Sequence, residues 1–175
     1  RSWPSPFHEG VAELEARRDR PTVVLASGDP MWFGIGATLA RSIPAEEMLV
    51  LPAPSSLSLA AARLGWPLGE VEILSLHGRP VDTLRAALHP GARILALTSG
   101  ARTPGEIADL LVDEGYGESR VVVLEHLGGP AERRVEALAE SFEGVVADLN
   151  VTAIEAVPVR DTPLRARVPG LPDDA

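Results

Sequence analysis

Cysteine is absent from the 175 residues, which excludes a disulfide framework, thiolate metal sites and a cysteine nucleophile. Aromatic residues are scarce: three Trp, three Phe and one Tyr. Positive charge is also in short supply, with 16 Lys and Arg against 25 Asp and Glu, for a net charge of -9. That balance argues against a general nucleic-acid binder, whose phosphate contacts need a basic surface. No run of about 18 uninterrupted apolar residues occurs, so no membrane span is expected. The start, RSWPSPFHEG, has neither an initiator Met nor an apolar signal-peptide core, and the expected start of the protein lies further upstream. These exclusions leave a soluble, cytoplasmic globular domain.

What the chain does contain is aliphatic. Hydrophobic residues make up 45%, mostly Ala, Leu and Val, and 16 Gly and 16 Pro punctuate them. The length suits one domain, or two small lobes sharing a core. Aliphatic runs broken by Gly and Pro indicate alternating strands and helices with short loops.

Residues 11 to 18 have helical character. Thr22 to Ala26, Met48 to Leu51, Val71 to Leu76, Arg93 to Thr98, Arg120 to Leu124 and Asn150 to Val157 read as strands. Helices are expected over Phe33 to Arg41, Leu57 to Leu64, from Pro80 to about Leu88, from Thr103 to Gly115 and over Ala131 to Ala139. Ser55 or Ser56 supplies an N-cap and Gly65 a C-terminal stop. Thr103-Pro104-Gly105-Glu106 has the spacing of a capping box. The result is an α/β fold with a largely parallel or mixed sheet. A break near Gly65 to Gly69 divides it into an N-terminal lobe at 1–66 and a C-terminal lobe at 67–158. Residues 159–175 read as an extended linker.

Ligands in such folds bind beyond the carboxyl ends of the strands. Four loops there stand out: Ser27 to Pro30, Pro52 to Ser56, His77 to Pro80 and Thr98 to Gly100. In the first, Gly28 lets backbone approach a ligand, Asp29 offers an acceptor, and Pro30 fixes the turn. A plain strand-to-helix turn capped by Asp29 is the competing reading. Gly34-Ile35-Gly36 lacks the third glycine of a dinucleotide fingerprint and reads as close packing. His77-Gly78-Arg79 suits a carboxylate, or an Arg reaching a neighbouring helix end. His8, His77, His89 and His126 have no ligand spacing, so no metal site is expected. His126 follows a strand at the candidate ligand edge, where a packed, hydrogen-bonded role is favoured over catalysis. Arg133-Arg134 beside Glu132 and Glu136 reads as a solvated helix face. No nucleophile elbow, phosphate loop or zinc-helix motif is present.

The segment Leu25-Ala26-Ser27-Gly28-Asp29-Pro30-Met31-Trp32-Phe33-Gly34-Ile35-Gly36 resembles the ASGDPxxYGIG stretch of the tetrapyrrole (corrin/porphyrin) methylases, with Phe33 where Tyr is common. Pro52-Ala53-Pro54-Ser55-Ser56 is similar to their P-G-x-S-S loop, with Ala53 replacing Gly. Ser75-Leu76-His77-Gly78-Arg79 and the stretch Glu125-His126-Leu127-Gly128-Gly129-Pro130-Ala131-Glu132-Arg133 resemble the branch acting on precorrin-6Y.

The resemblance implies two α/β lobes with S-adenosylmethionine (SAM) in the cleft between them, and methyl transfer to carbon 5 of precorrin-6Y during cobalamin synthesis. It further implies a homodimer and a carbon-15 methylating and decarboxylating domain fused downstream. Candidate cofactor contacts are Gly28, Asp29, Pro30, Phe33, Gly34, Ser55, Ser56, Thr98 and Leu127. His77, Arg79 and Arg102 are the candidates for the substrate's carboxylates. Methyl transfer from a sulfonium calls for positioning more than acid-base chemistry, so no catalytic residue is assigned. Two alternatives stay open: a related methylase with another substrate, such as a ribosomal RNA or a modified protein histidine, and a noncatalytic SAM-binding partner module.

Overall fold

The computed structural model describes residues 7–160; the expected linker lies almost wholly outside them. The chain is α/β and forms two compact units, one ending at Ser55 and the other beginning at Ser56. The expected boundary was 66/67.

The first unit holds α1 (Phe7–Glu15), the short α2 (Ile35–Leu39) and a 3-10 turn at Ala45–Glu47. Arg18 ties the end of the first segment to that turn through a two-pronged ion pair with Glu47. The expected strands at 22–26 and 48–51 have no ladder partner among the described residues. Their β-branched and aliphatic residues favour extended backbone, but a strand also needs a neighbour to take its N–H and C=O groups. Val23, Leu25, Leu49 and Leu51 consequently stand exposed. The two segments border a groove of about 880 Å³, floored in part by Leu39 and Ile43. α2 is shorter than the expected helix at 33–41, because Phe33 takes a left-handed φ of 57° and Gly34 is extended.

The second unit is built on a five-stranded mixed sheet of order β1-β2-β5-β3-β4. Its strands are β1 (Glu72–Ser75), β2 (Arg93–Leu97), β3 (Arg120–Glu125), β4 (Arg133–Leu138) and β5 (Asn150–Glu155). β1 and β2 are parallel, while β5 runs antiparallel to both β2 and β3. β1, β2 and β3 therefore point the same way, and their carboxyl ends share one edge. α4 (Thr103–Asp113) covers one face, where Ile107 and Leu111 join Leu84, Ile94, Val121, Val123 and Ile154 in the core. α3 (Ser56–Leu64) packs on β2 and β5, burying Leu57, Ala60 and Ala61.

Glycine punctuation works as expected at two helix ends. Gly65 and Gly115 are left-handed, and the next residue's N–H closes back on the helix: Trp66 to the Ala61 carbonyl, Tyr116 to that of Leu111. Three expectations fail. Residues 131–139 form no helix; β4 pairs antiparallel with β3 from Glu125↔Arg133 to Arg120↔Leu138. The run is rich in helix formers, but an edge position beside β3 overrides that weak preference. The helix after Pro80 is only a 3-10 run, Val81–Ala86, and His89-Pro90 bars any extension past Leu88. The capping box does not form either. Arg102 is the N-cap without a side-chain cap bond, and Thr103 is already helical and buried.

Ile154 is fully buried on the central strand β5. Ile154→Ala is expected to cost about 2–5 kcal/mol by urea denaturation, whereas Leu138→Ala on the exposed edge should stay within about 0.5 kcal/mol.

Candidate functional site

In the first unit, the Ser27–Pro30 turn is built by close backbone approach. Gly28 has φ +63°, and a Cβ placed there would lie 3.0 Å from Ser55 Cα. The Gly28 carbonyl accepts the Ala53 N–H at 3.3 Å. The turn and the Pro52–Ser55 loop are thus brought together, as the ligand reading requires of that pair. The Asp29 carboxylate is engaged locally: Oδ1 accepts the Met31 N–H at 2.9 Å in an Asx turn, and it caps no helix, since α2 starts at Ile35 with Gly34 as its N-cap. Gly34 and Gly36 would drive a Cβ to 2.7 and 2.8 Å from the Pro30 carbonyl, so both serve close packing. Phe33 is exposed beside them.

In the second unit, three turns leave the shared strand edge; the first two are bonded to each other, and the second and third are each bonded to the segment at 147–150. After β1, the Gly78 N–H donates to Ser99 Oγ at 3.0 Å, and that hydroxyl donates to the Leu76 carbonyl at 2.8 Å. His77 and Arg79 are exposed on this turn, and Arg102 is exposed at the start of α4. Among the described residues, no ion pair is recorded for Arg79 or Arg102. After β2, Thr98 is buried, and its hydroxyl donates to Asn150 Oδ1 at 2.9 Å. After β3, His126 is left-handed at φ 47°; its N–H donates to the Leu149 carbonyl and its carbonyl accepts the Gly129 N–H. Its side chain is half-buried. Leu127 is half-buried in the same turn, and Ser56 opens α3.

Residues that sequence reasoning passed over hold these turns. Asn150 Nδ2 donates to the Ala147 carbonyl at 2.8 Å, and Asp148 Oδ1 accepts the Ala101 N–H at 3.0 Å. Glu125, 2% exposed, takes a two-pronged contact from Arg133 at 2.6 and 2.8 Å and the Ala147 N–H at 2.7 Å. Arg133 is therefore a strand residue serving a buried acid, which corrects its expected place on a solvated helix face. The Arg133 guanidinium holds the Glu125 carboxyl below the usual carboxylate range; burial opposes this and the Ala147 N–H assists it. Glu132 pairs with Arg63 of α3 and accepts the Gly128 N–H at 2.8 Å. The only sequence signal for these roles was the Glu125-to-Arg133 motif itself.

The turns at this edge offer backbone groups, the Thr98 and Ser99 hydroxyls and the half-buried Leu127, beside the exposed His77, Arg79 and Arg102. Such a set suits a nucleoside and a thioether chain, and so fits the cofactor implied above. Among the described residues, no group of three His, Asp or Glu could hold a metal ion.

The profile of the Tetrapyrrole (Corrin/Porphyrin) Methylases matches residues 7–143. The chain belongs to this family. A precorrin-6Y C(5,15)-methyltransferase [decarboxylating] from Sinorhizobium sp is 55% identical over 155 residues, covering 88% of this chain and 38% of that protein. A cobalt-precorrin-7 C(5)-methyltransferase from Salmonella typhimurium is 37% identical over 121 residues, covering 69% of this chain and 59% of its own length. Among solved structures, uroporphyrin-III C-methyl transferase from Thermus thermophilus, complexed with S-adenosyl homocysteine, aligns with a TM-score of 0.69. It is 25% identical and covers 88% of this chain and 75% of that one. This methylase chain thus spans about two fifths of the Sinorhizobium relative and under two thirds of the Salmonella one.

The lowered Glu125 value sets a pH dependence with a definite sign. The pair stabilises the methylase fold above the ordinary carboxylate value of 4.5 and loses that contribution as pH falls through the lower folded value. The urea midpoint should therefore separate from that of Glu125→Gln most widely near neutral pH, and the gap should close on acidification.

Proposed function

We propose that the chain is a SAM-dependent C-methyltransferase domain that methylates carbon 5 of precorrin-6Y in cobalamin biosynthesis. The observation that carries the reading is the shared edge of β1, β2 and β3. It gathers a neutral, hydrogen-bonded set of turns and the exposed His77, Arg79 and Arg102 in a chain of net charge -9. The names of the Sinorhizobium relative, a precorrin-6Y C(5,15)-methyltransferase, and of the Salmonella relative, a cobalt-precorrin-7 C(5)-methyltransferase, support a precorrin-type substrate and have carbon 5 in common.

When bound, SAM supplies an electrophilic methyl on a sulfonium. The chain's own task is to hold the two reactants in line and exclude water, which can account for about 7–11 kcal/mol of a barrier. Backbone groups near Gly28, Thr98 and Leu127 would grip the cofactor, with Asp29, Pro30, Phe33, Gly34, Ser55 and Ser56 shaping its surroundings. Arg79, Arg102 and His77 would meet the substrate's carboxylates, since charges beyond about 10 Å are largely screened and only local cations can offset an acidic protein. No residue here is asked to act as acid or base. The same reading includes two lobes, a homodimer, a cytoplasmic location, and residues 159–175 leading into a carbon-15 methylating and decarboxylating domain.

Calorimetric titration with SAM, followed by a precorrin-6Y turnover assay, tests this. Binding with methylation at carbon 5 supports it; binding without turnover favours a noncatalytic module, and absence of binding overturns it. Arg79→Ala should weaken precorrin binding about tenfold, the scale of one charge-assisted bond, with SAM affinity held within about threefold. A larger fall in SAM affinity would reassign the turn.

A further inference from the structure

We propose that Glu125 and Arg133 are a positioning pair, whose part-buried contact sets the loop before β5 and, through it, the turns at the ends of β2 and β3. The inference rests on the SAM-binding reading above.

The loop at 142–149 belongs to no helix or strand. Phe142 and Val146 anchor it to the core, but Val145 and Leu149 are 89% and 67% exposed. Between those anchors and beyond them, directional bonds to the pair set the backbone. Arg133 donates to the Val145 carbonyl at 3.0 Å, and Glu125 accepts the Ala147 N–H at 2.7 Å.

From that loop the contacts continue to the candidate site. Asn150, whose amide grips the Ala147 carbonyl, receives the Thr98 hydroxyl at 2.9 Å. Asp148 receives the Ala101 N–H, and it comes so near that a Cβ at Gly100 would lie 3.1 Å from its Oδ1. Glu125 also immediately precedes His126 and Leu127. One carboxylate is therefore connected to the Thr98–Ala101 turn through the hydrogen bonds of the 147–150 backbone, and to the His126–Leu127 turn through the chain itself.

A role limited to closing the β3–β4 hairpin explains less. That hairpin already has a six-residue ladder, and its turn is separately tied to α3 by Glu132 and Arg63. A buried carboxylate is costly unless fully paired, and an apolar residue could close a hairpin. What an apolar residue could not do is hold the Ala147 amide and the Val145 carbonyl in fixed directions.

The test uses S-adenosylhomocysteine as probe, with calorimetry, amide hydrogen exchange and Tm as readouts. Arg133→Lys keeps the charge but loses the planar fork, and the side chain is more than half exposed, so the variant should fold. Its affinity for the probe should fall about tenfold, and the Ala101 and Ala147 amides should exchange faster. Glu125→Gln should shift both readings in the same direction. Arg134→Lys, in the neighbouring exposed pair with Glu136, should change neither. A lower Tm with probe affinity within twofold of the parent would make the pair merely structural and overturn the proposal. Unchanged Ala101 exchange in both variants would also overturn it, by removing the proposed connection. A parent chain that does not bind the probe would instead overturn the SAM reading, while the exchange data would still report on the connection itself.

Discussion

The placement of β5 between β2 and β3, antiparallel to both, governs most of what the second unit can do. Two strands antiparallel to a common neighbour must run parallel to each other, so β3 joins β1 and β2 in ending at one edge. That edge is where an α/β sheet can surround a ligand with loops while keeping its core closed. It also brings the start of β5 to the same place, so Asn150 can bond to Thr98 although 52 residues separate them.

Charge is distributed along the same axis. At the opposite end of the sheet, Glu155 lies between Arg93 and Arg120, and Arg120 also reaches Glu136 in the middle of β4. Arg93 further sits over the Trp66 ring at 5.5 Å. Those guanidiniums are committed to carboxylates within the sheet, and such exposed pairs contribute little stability individually. At the loop edge, by contrast, His77, Arg79 and Arg102 face solvent. An acidic protein can thus present cationic groups where a polycarboxylate would arrive.

The two units reach their turns by different physics. Around Gly28, the absence of a side chain allows the Ser55 loop to come close, and Gly34 and Gly36 admit the Pro30 carbonyl. Around Thr98 and Leu127 the geometry comes from buried polar groups, each with a partner, as burial of such groups demands. The first mechanism depends on residues too small to clash; the second on residues placed to bond.

Local sequence was sufficient for α3, α4, β1, β2, β3 and β5, because glycine stops and runs of aliphatic residues constrain the backbone over a few positions. It was also sufficient to identify the turns at Ser27–Pro30, His77–Pro80 and Thr98–Gly100, whose residue types are unusual for plain connections. It did not determine β4, since Ala, Glu and Leu in Ala131 to Ala139 favour a helix until β3 offers an edge. Nor could it determine whether 22–26 and 48–51 would find partners, because pairing belongs to neighbours rather than to a segment. Asn150, Asp148 and Glu125 were overlooked for the same reason: a polar side chain gains its role from what tertiary structure sets beside it. Composition and local pattern decided the fold class and which turns were unusual, while the order and direction of the strands decided which of those turns meet.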